Sequence, residues 1–214
     1  SSIRSNAVRS FLTSLAIIIG TAAVIAVIGI GSSANKALEA SIDDLGGRTL
    51  YVQPGQNRRG AVTKGFIPLD IKDAYALEKS KLHDWKISPT IRKNRQIKYK
   101  NANINERVGA YLPIHFEVRG YDLEFGRLFN EEENLGRKRV AVIGSAVPRA
   151  LGSNASMILN KEILVAGTSY KVVGILKEEG STGWQNPDEE IYIPLLTGAQ
   201  RLFGTPHVDS INVG

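Results

Sequence analysis

The stretch SFLTSLAIIIGTAAVIAVIGIGSSAN, residues 10–35, decides the fold because none of its 26 residues is charged. As an α-helix the run is about 39 Å long, at about 1.5 Å per residue. The hydrocarbon core of a bilayer is about 30 Å thick. The run therefore predicts a transmembrane helix over residues 10–35.

Two other interpretations of the run compete with the spanning helix. Gly29, Gly31 and Ala34 fit the G-x-G-x-x-A loop of a dinucleotide-binding fold, but residues 49–53 lack the acidic residue that the fingerprint requires about 20 positions later. A cleaved signal peptide would use the arginines before the run as its basic region, yet its apolar segment is usually about 7–15 residues. The length of the run favours the spanning helix over both.

The charges that flank the run predict its orientation. Arg4 and Arg9 precede it, whereas Lys36 is followed by several acidic residues. Because basic residues stay on the cytoplasmic side, residues 1–9 are predicted to be a cytoplasmic flank and residues 36–214 to be extracytoplasmic. No later segment reaches the roughly 18 uncharged residues that a second span needs, so we expect a single span.

Composition excludes several classes of function. The chain has no cysteine, which rules out a disulfide framework, a thiol nucleophile and a cysteine-ligated zinc site. Its net charge of +6 is uneven, with 14 basic and 5 acidic residues in 48–110. Since an extracytoplasmic domain does not meet nucleic acid, we expect none as a partner. The basic stretch RKNRQIKYK (92–100) is interpreted as a solvated strand face, or as a docking surface for anionic lipid headgroups or an acidic protein.

A stripe of apolar residues indicates that the membrane helix continues beyond the bilayer. Ala34, Leu38, Ile42 and Leu45 recur at spacings of four and three, which places them on one face of a helix. Gly46-Gly47 supplies a C-terminal stop. We expect this coupling helix to run from the lipid into the outer domain.

Small residues inside the run predict where neighbouring helices pack. Ala16 and Gly20 are four residues apart, as are Ala22 and Ala26. Small residues at this spacing let two helix backbones approach closely within a membrane.

Beyond the helix, the hydrophobic patterns predict alternating short elements. A strand over 48–53, a helix over 70–81 capped by Asp70, and a strand over 86–91 form a strand–helix–strand unit. A hairpin follows, with RQIKYK and RVGAYL on either side of NANIN. The second half contains short strands at 139–144, 162–167, 170–176 and 190–195, a short helix at 197–204 and a last strand at 208–213.

The sequence predicts no catalytic site, no metal site and no cofactor for this chain. His83, His115 and His207 are isolated in the sequence, and each is interpreted as a surface or packed side chain. The run Glu131–Glu133 follows Asn130, which is typical of a capped first helical turn. The sequence contains neither a nucleophile elbow nor a phosphate-binding loop.

The loop EEGSTGWQNPDEE (178–190) is a candidate partner-facing loop. Trp184, Gln185 and Asn186 lie among Gly, Ser and Pro residues, and aromatic side chains concentrate at protein interfaces. The indole folding back onto the core is the alternative.

Several blocks of the sequence resemble the MacB-type ABC transporter permeases, a family that includes FtsX-like proteins. RSNAVRSFLTSLAIIIGTAAVIAVIGIG is similar to the first transmembrane segment of these permeases. VRGYDLEFGRLFNEEE, KRVAVIGSAVPRALGS, YKVVGILKEEGS and EIYIPLLTGAQRLFG resemble successive blocks of the extracytoplasmic core domain. The basic loop at 54–68 resembles the family least.

The resemblance implies an α+β fold, in which an N-terminal transmembrane helix extends into an extracytoplasmic domain. It implies a porter-like α/β part, formed by residues 48–92 and 207–214 and incomplete here, around a β-rich insertion at 93–204. Partners implied by the family are membrane lipid, a second permease in a homodimer or pair, and a cytoplasmic ATPase that binds ATP and Mg²⁺. The family locates in the bacterial inner membrane.

The resemblance leaves the branch of the family open. MacB-like members export substrates from the periplasm with the help of a periplasmic adaptor protein. Other members are FtsX-like regulators of cell-wall hydrolases, LolC/E-like lipoprotein extractors or permeases that sense peptide antibiotics. We expect the MacB-like export function, with transmission of mechanical work across the membrane. A single-span receptor outside the family is the remaining alternative.

Overall fold

The computed structural model describes residues 7–44, 50–55, 68–80, 85–180 and 186–214. For helix residues 7, 8, 10 and 33–44 it describes the backbone alone. The chain divides into two compact units, residues 1–47 and residues 48–214.

The described residues of the first unit form one continuous helix, α1 (Ala7–Asp44), of 38 residues. Its segment Phe11–Ser32 has a mean hydropathy of 2.5 and is long and apolar enough to cross a membrane. Every described side chain of that segment is exposed, as expected for a surface that faces lipid. The hydroxyl of Thr21 donates to the carbonyl of Ile17 at 3.0 Å, so this polar group is satisfied inside the helix. The predicted spanning helix is confirmed as a helix of sufficient length.

The described residues of the second unit form a mixed sheet of nine strands. These are β1 (Leu50–Val52), β3 (Ile87–Tyr99), β4 (Ala102–Tyr111), β5 (Leu123–Gly126), β6 (Val140–Ile143), β7 (Glu162–Val165), β8 (Thr168–Leu176), β9 (Ile191–Pro194) and β11 (Ser210–Val213). Eight of them follow the order β1-β11-β3-β4-β9-β6-β8-β5, and β7 pairs with β3 and β8. The parallel pairs are β4 with β9 and β6 with β8.

Short helices and a two-stranded ladder complete this unit. β2 (Leu69–Asp70) pairs with β10 (His207–Val208). The helices are α2 (Ile71–Lys79), α3 (Ile114–Arg119), α4 (Glu131–Leu135), α5 (Val147–Ala150), α6 (Ala155–Ile158) and α7 (Leu195–Thr197), with a 3₁₀ turn at Pro187–Glu189 and a π-helical turn at Gly198–Phe203.

Two hydrophobic clusters fill the second unit. The larger includes Ile91, Ile97, Ile143 and Ile193. The smaller is rich in aromatic rings and includes Tyr111, Phe116, Phe129, Val142 and Tyr192. Side chains alternate between the two faces of a strand. Successive residues of β6, Val140–Ile143, are all buried, so the sheet is covered on both faces there.

Most predicted strands are confirmed, and the differences are local. The hairpin of β3 and β4 turns at Lys100 and Asn101, so only the first residue of NANIN (101–105) is in the turn. The other four belong to β4, because Ala102 already pairs with Tyr99. The left-handed φ of Lys100, 52°, permits this tight two-residue turn. β3 is longer than predicted since it continues without interruption from the predicted strand at 86–91 into the hairpin.

Two helix caps behave as their sequences predict. The Asn130 side chain accepts from the Glu133 N–H at 2.9 Å, and Glu133 accepts from the Asn130 N–H at 3.1 Å. The predicted capped turn at Glu131–Glu133 is therefore confirmed. Asp70 precedes α2 with an extended backbone, and Asp73 accepts from the Asp70 N–H at 2.8 Å.

The fold is of the mixed α and β class that the sequence predicts. Strand β3 crosses the predicted boundary between residues 92 and 93. The division into a porter-like part and an insertion stays a prediction.

Candidate functional site

The predicted helix-packing residues all lie on the exposed surface of α1. Ala16, Gly20, Ala22 and Ala26 are exposed, and a Cβ added at Gly20 would have nothing within 4 Å. At about 3.6 residues per turn, the first pair is centred about 120° around the helix from the second. The two pairs would therefore face different neighbouring helices, and their role stays a prediction.

The predicted coupling residues fall where side chains are not described. The backbone at Ala34, Leu38 and Ile42 is helical because α1 extends to Asp44, whereas Leu45 lies outside the described residues. Helix α1 continues twelve residues past Ser32, the end of its apolar segment. That extension is about 18 Å long.

The candidate partner-facing loop is described only at its ends. Trp184 and Gln185 lie outside the described residues. The Asn186 side chain accepts from the Asp188 N–H at 3.2 Å and caps the turn Pro187–Glu189. Asn186 is thus a structural residue of the loop base.

Asp188 ties the two ends of this loop together. Its side chain is 8% exposed, and its two carboxylate oxygens accept from the N–H groups of Glu179 at 3.0 Å and Gly180 at 2.9 Å. A Cβ added at Gly144 would lie 2.3 Å from the carbonyl oxygen of Pro187, so β6 and the loop base are in close contact. The loop begins and ends on a fixed base.

A buried polar cluster lies where β3, β4, β9 and α3 meet. We use this name for Ser88, Arg92, Tyr111, His115, Arg119, Tyr121, Glu190 and Tyr192. Tyr111 donates to Glu190 at 2.5 Å, and His115 stacks on Tyr111 with ring centroids 3.9 Å apart. The Nδ1 atom of His115 shares a hydrogen bond of 2.9 Å with the Ser88 hydroxyl. These residues come from segments that are far apart in the chain.

Burial shifts the protonation of the groups in this cluster. Desolvation raises the pKa of the Glu190 carboxyl, while the nearby charge of Arg92 and the hydrogen bond from Tyr111 oppose that shift. Desolvation, with the positive charges of Arg119 and Arg92, holds the pKa of His115 well below its ordinary value. His115 is therefore neutral at physiological pH.

Arg119 connects the buried polar cluster to the first strand of the domain. Its guanidinium donates to the hydroxyl of Tyr51 on β1 and, at 3.4 Å, to the hydroxyl of Tyr121. β1 also pairs with β11, which in turn pairs with β3. Strand β1 is therefore connected to the sheet by backbone hydrogen bonds and to α3 by the side chain of Arg119.

The three histidines have different surroundings. His115 is packed in the cluster, as the sequence predicts for a structural histidine, and His207 pairs with Asp70. His83 lies outside the described residues. Among the described residues, no group of three or more histidine, aspartate and glutamate side chains is arranged to hold a metal.

The sequence did not predict the cluster. His115 and Glu190 are 75 positions apart in the sequence, and neither belongs to a motif. The one available signal is that Glu190 directly precedes the apolar strand β9, where a polar side chain that becomes buried needs a hydrogen-bond partner.

These observations define a mixed α and β domain that follows a helix long enough to span a membrane. The sequence model described as the MacB-like periplasmic core domain matches residues 10–214. The chain therefore belongs to the family of MacB-like periplasmic core domains.

Relatives by sequence carry transporter names. The chain is 34% identical over 212 residues to the macrolide export ATP-binding/permease protein MacB of Bdellovibrio bacteriovorus, covering 98% of this chain and 32% of that protein. It is 28% identical over 211 residues to the protein of the same name from Escherichia coli K12, with the same coverage of 98% and 32%. The chain thus spans about a third of the length of these curated relatives.

Two solved structures share the fold. The periplasmic region of MacB from Actinobacillus actinomycetemcomitans superposes with a TM-score of 0.64 at 19% identity, covering 80% of this chain and 76% of that one. The extracellular domain of the noncanonic ABC-type transporter YknZ from Gram-positive bacteria gives 0.64 at 20% identity, covering 78% and 82%. The predicted fold class and family resemblance are confirmed.

Proposed function

We propose that this chain is the first membrane helix and the extracytoplasmic domain of a MacB-type ABC transporter permease. Its residues would couple ATP hydrolysis in the cytoplasm to export of a substrate on the other side of the membrane. ATP and Mg²⁺ would bind to a cytoplasmic ATPase domain or subunit. Support comes from the family membership and from the export names of the sequence relatives.

The unbroken helix α1 is the observation that carries this proposal. It extends over Ala7–Asp44, so one helical segment contains both the apolar span and the twelve residues that follow it. The next described strand, β1, begins at Leu50. A displacement of the helix would therefore reach β1 through a short covalent connection, and then the sheet and α3.

The orientation, the partners and the branch of the family are part of the same proposal. The basic flank of α1 would lie in the cytoplasm and residues 48–214 in the periplasm. The exposed pairs Ala16–Gly20 and Ala22–Ala26 would contact helices of the same permease and of its dimer partner. A periplasmic adaptor protein would contact the loop at 178–190.

A proline in the helix extension tests the coupling. Lys36→Pro in the full transporter removes a backbone donor and kinks the helix, at a local cost of about 3 kcal/mol. We expect ATP hydrolysis in membranes to continue and export to be lost, because the kink separates the span from the outer domain. Lys36→Ala is the matched control, since it removes the same side chain and keeps the helix. Normal export by a correctly inserted Lys36→Pro protein would contradict rigid transmission.

A further inference from the structure

A cleft of about 850 Å³ opens at the edge of the sheet where two parallel strands end. β6 ends at Ile143 and β8 ends at Leu176, and the two strands pair in parallel. Their carboxyl ends therefore lie at the same edge. Open sheets with parallel strands bind ligands outside these ends, and the volume is within the usual range of about 300–1,000 Å³ for ligand pockets.

The walls of this cleft are held together by backbone hydrogen bonds. The Ala146 N–H, after β6, donates to the carbonyl of Asp188 at 2.9 Å, and the Lys177 N–H, after β8, donates to the carbonyl of Asp122 at 2.9 Å. The Asp188 side chain holds the backbone at Glu179 and Gly180. The cleft is thus formed before any ligand binds, which lowers the entropic cost of binding.

Charges of both signs line the cleft. Arg149 and Lys177 are two exposed cations, and Glu124 and Glu178 are two exposed carboxylates. The ion pairs found within the described part of the chain include none of these four side chains. Their charges are therefore available to a molecule that enters the cleft.

The lining favours a polypeptide over other ligands. The described lining contains no aromatic ring on which a base or sugar would stack, and three carboxylates, including Asp188, would repel a polyanion. Leu123 and Ala146 provide too little apolar surface for an acyl chain. A peptide segment offers charges of both signs, main-chain hydrogen-bonding groups and small apolar side chains.

We infer that this cleft receives an extended segment of a partner protein that carries both an acidic and a basic side chain. The acidic side chain pairs with Arg149 and Lys177, and the basic one pairs with Glu124 and Glu178. This inference rests on the proposed function, in which the outer domain meets partner proteins beside the loop 178–190. The base of that loop, at Asp188, forms part of the cleft wall.

Site-specific photo-crosslinking in the full-length transporter tests the inference. A benzoylphenylalanine placed at Ser145, a half-buried lining residue that carries none of the four charges of the cleft, is irradiated in intact cells, and mass spectrometry sequences the attached segment. We expect one segment of one protein, with acidic and basic residues close together. The double variant Arg149→Glu/Lys177→Glu should lower the yield about tenfold or more, as expected when charge pairs at an interface become repulsive. The control Arg137→Glu/Lys138→Glu reverses two exposed cations outside the cleft and should keep the yield.

Several outcomes would overturn the inference. The inference is wrong if the probe attaches to nothing, to lipid, to free peptides, or equally to many unrelated proteins. It is also wrong if the attached segment lacks an acidic or a basic residue, or if charge reversal leaves the crosslinking yield unchanged. Export measured on the same cells separates the two proposals. If export stays at the wild-type level while no partner segment is captured, the cleft inference fails and the proposed function stands. If the wild-type protein exports nothing, the proposed function itself fails.

Discussion

Tyr111 of β4 donates its hydroxyl hydrogen to the carboxylate of Glu190, which directly precedes β9, at 2.5 Å. Both side chains are buried, with 1% and 3% of their surface exposed. The pair joins two parallel strands that are distant in the sequence, and Arg92 lies close enough to affect the ionisation of both groups. The relationship makes the stability of the domain depend on the charge of one buried carboxyl.

The first prediction concerns the charge of Glu190. Burial raises the pKa of this carboxyl above 4.5, its ordinary value. A raised pKa in the folded state contributes stability that is complete below the unfolded pKa and is lost as the pH rises through the folded pKa. Glu190→Gln keeps an acceptor for Tyr111 and removes the titration. The melting temperature of the wild-type fragment 48–214, compared with that of the variant, should therefore fall as the pH rises from about 4.5.

The neighbouring carboxyl provides the control for that measurement. Glu189 is exposed, and Glu189→Gln controls for the loss of one negative charge at this place in the chain. Parallel wild-type and Glu190→Gln curves across the whole range would show that burial of Glu190 does not govern this dependence.

His115 should act on stability in the opposite direction. Burial holds its pKa well below 6.5, the ordinary value, so the folded domain keeps the ring neutral. A lowered pKa contributes stability that is present above the unfolded pKa and is lost as the pH falls. His115→Phe retains a ring against Tyr111 and removes the titration. The variant should therefore be less sensitive than the wild type to a fall in pH below about 6.5.

Ser88→Ala separates the titration of His115 from its hydrogen bond. It removes the hydroxyl that shares the 2.9 Å bond with Nδ1 and keeps the histidine. We expect a roughly constant loss of stability, about 1–3 kcal/mol, because the buried Nδ1 loses its partner, with the acid sensitivity retained. If Ser88→Ala abolishes the acid sensitivity, the explanation through the ring's own protonation is wrong.

The sequence predicts the fold to the extent that each element depends on its own residues. The spanning run, the alternating strands and the cap at Asn130 are local, and the structure confirms them. The pattern predicts strands at 162–167 and 170–176, whereas Val165 pairs with Thr168 and the turn lies at 166–167. A register of this kind depends on the partner strand.

The candidate site could not be predicted in the same way. Glu190, His115 and Arg119 meet only because the sheet order places β9 beside β4 and α3 beside β3. Nothing local in the sequence records that order. The cleft at Arg149 and Lys177 has the same origin, since the parallel pairing of β6 with β8 brings two distant strand ends together.

Asp188→Asn should loosen the base of the loop 178–190. Asp188 accepts one N–H on each carboxylate oxygen, whereas asparagine has one acceptor oxygen and one donor nitrogen. One of the two N–H groups would lose its acceptor, at a cost of about 1–3 kcal/mol. Hydrogen exchange measured by mass spectrometry should increase at residues 179 and 180. Glu189→Asn is the control, and unchanged exchange in Asp188→Asn would show that the carboxylate does not hold the loop.

The last prediction concerns the orientation of α1 in the membrane. Basic residues remain on the cytoplasmic side of a span, and Arg4 and Arg9 precede the apolar segment. Cysteines are introduced separately at Ser5 and Ser181 of a full transporter from which any other cysteine has been removed. This chain contributes no native cysteine. An impermeant maleimide applied to cells with a permeabilised outer membrane should label position 181 and not position 5. Permeabilising the inner membrane should then label both, which controls for the reactivity of the cysteine at position 5. Labelling of position 5 alone in cells with an intact inner membrane would show that the topology is reversed. The outer domain would then lie in the cytoplasm, and no work would need to cross the bilayer through α1.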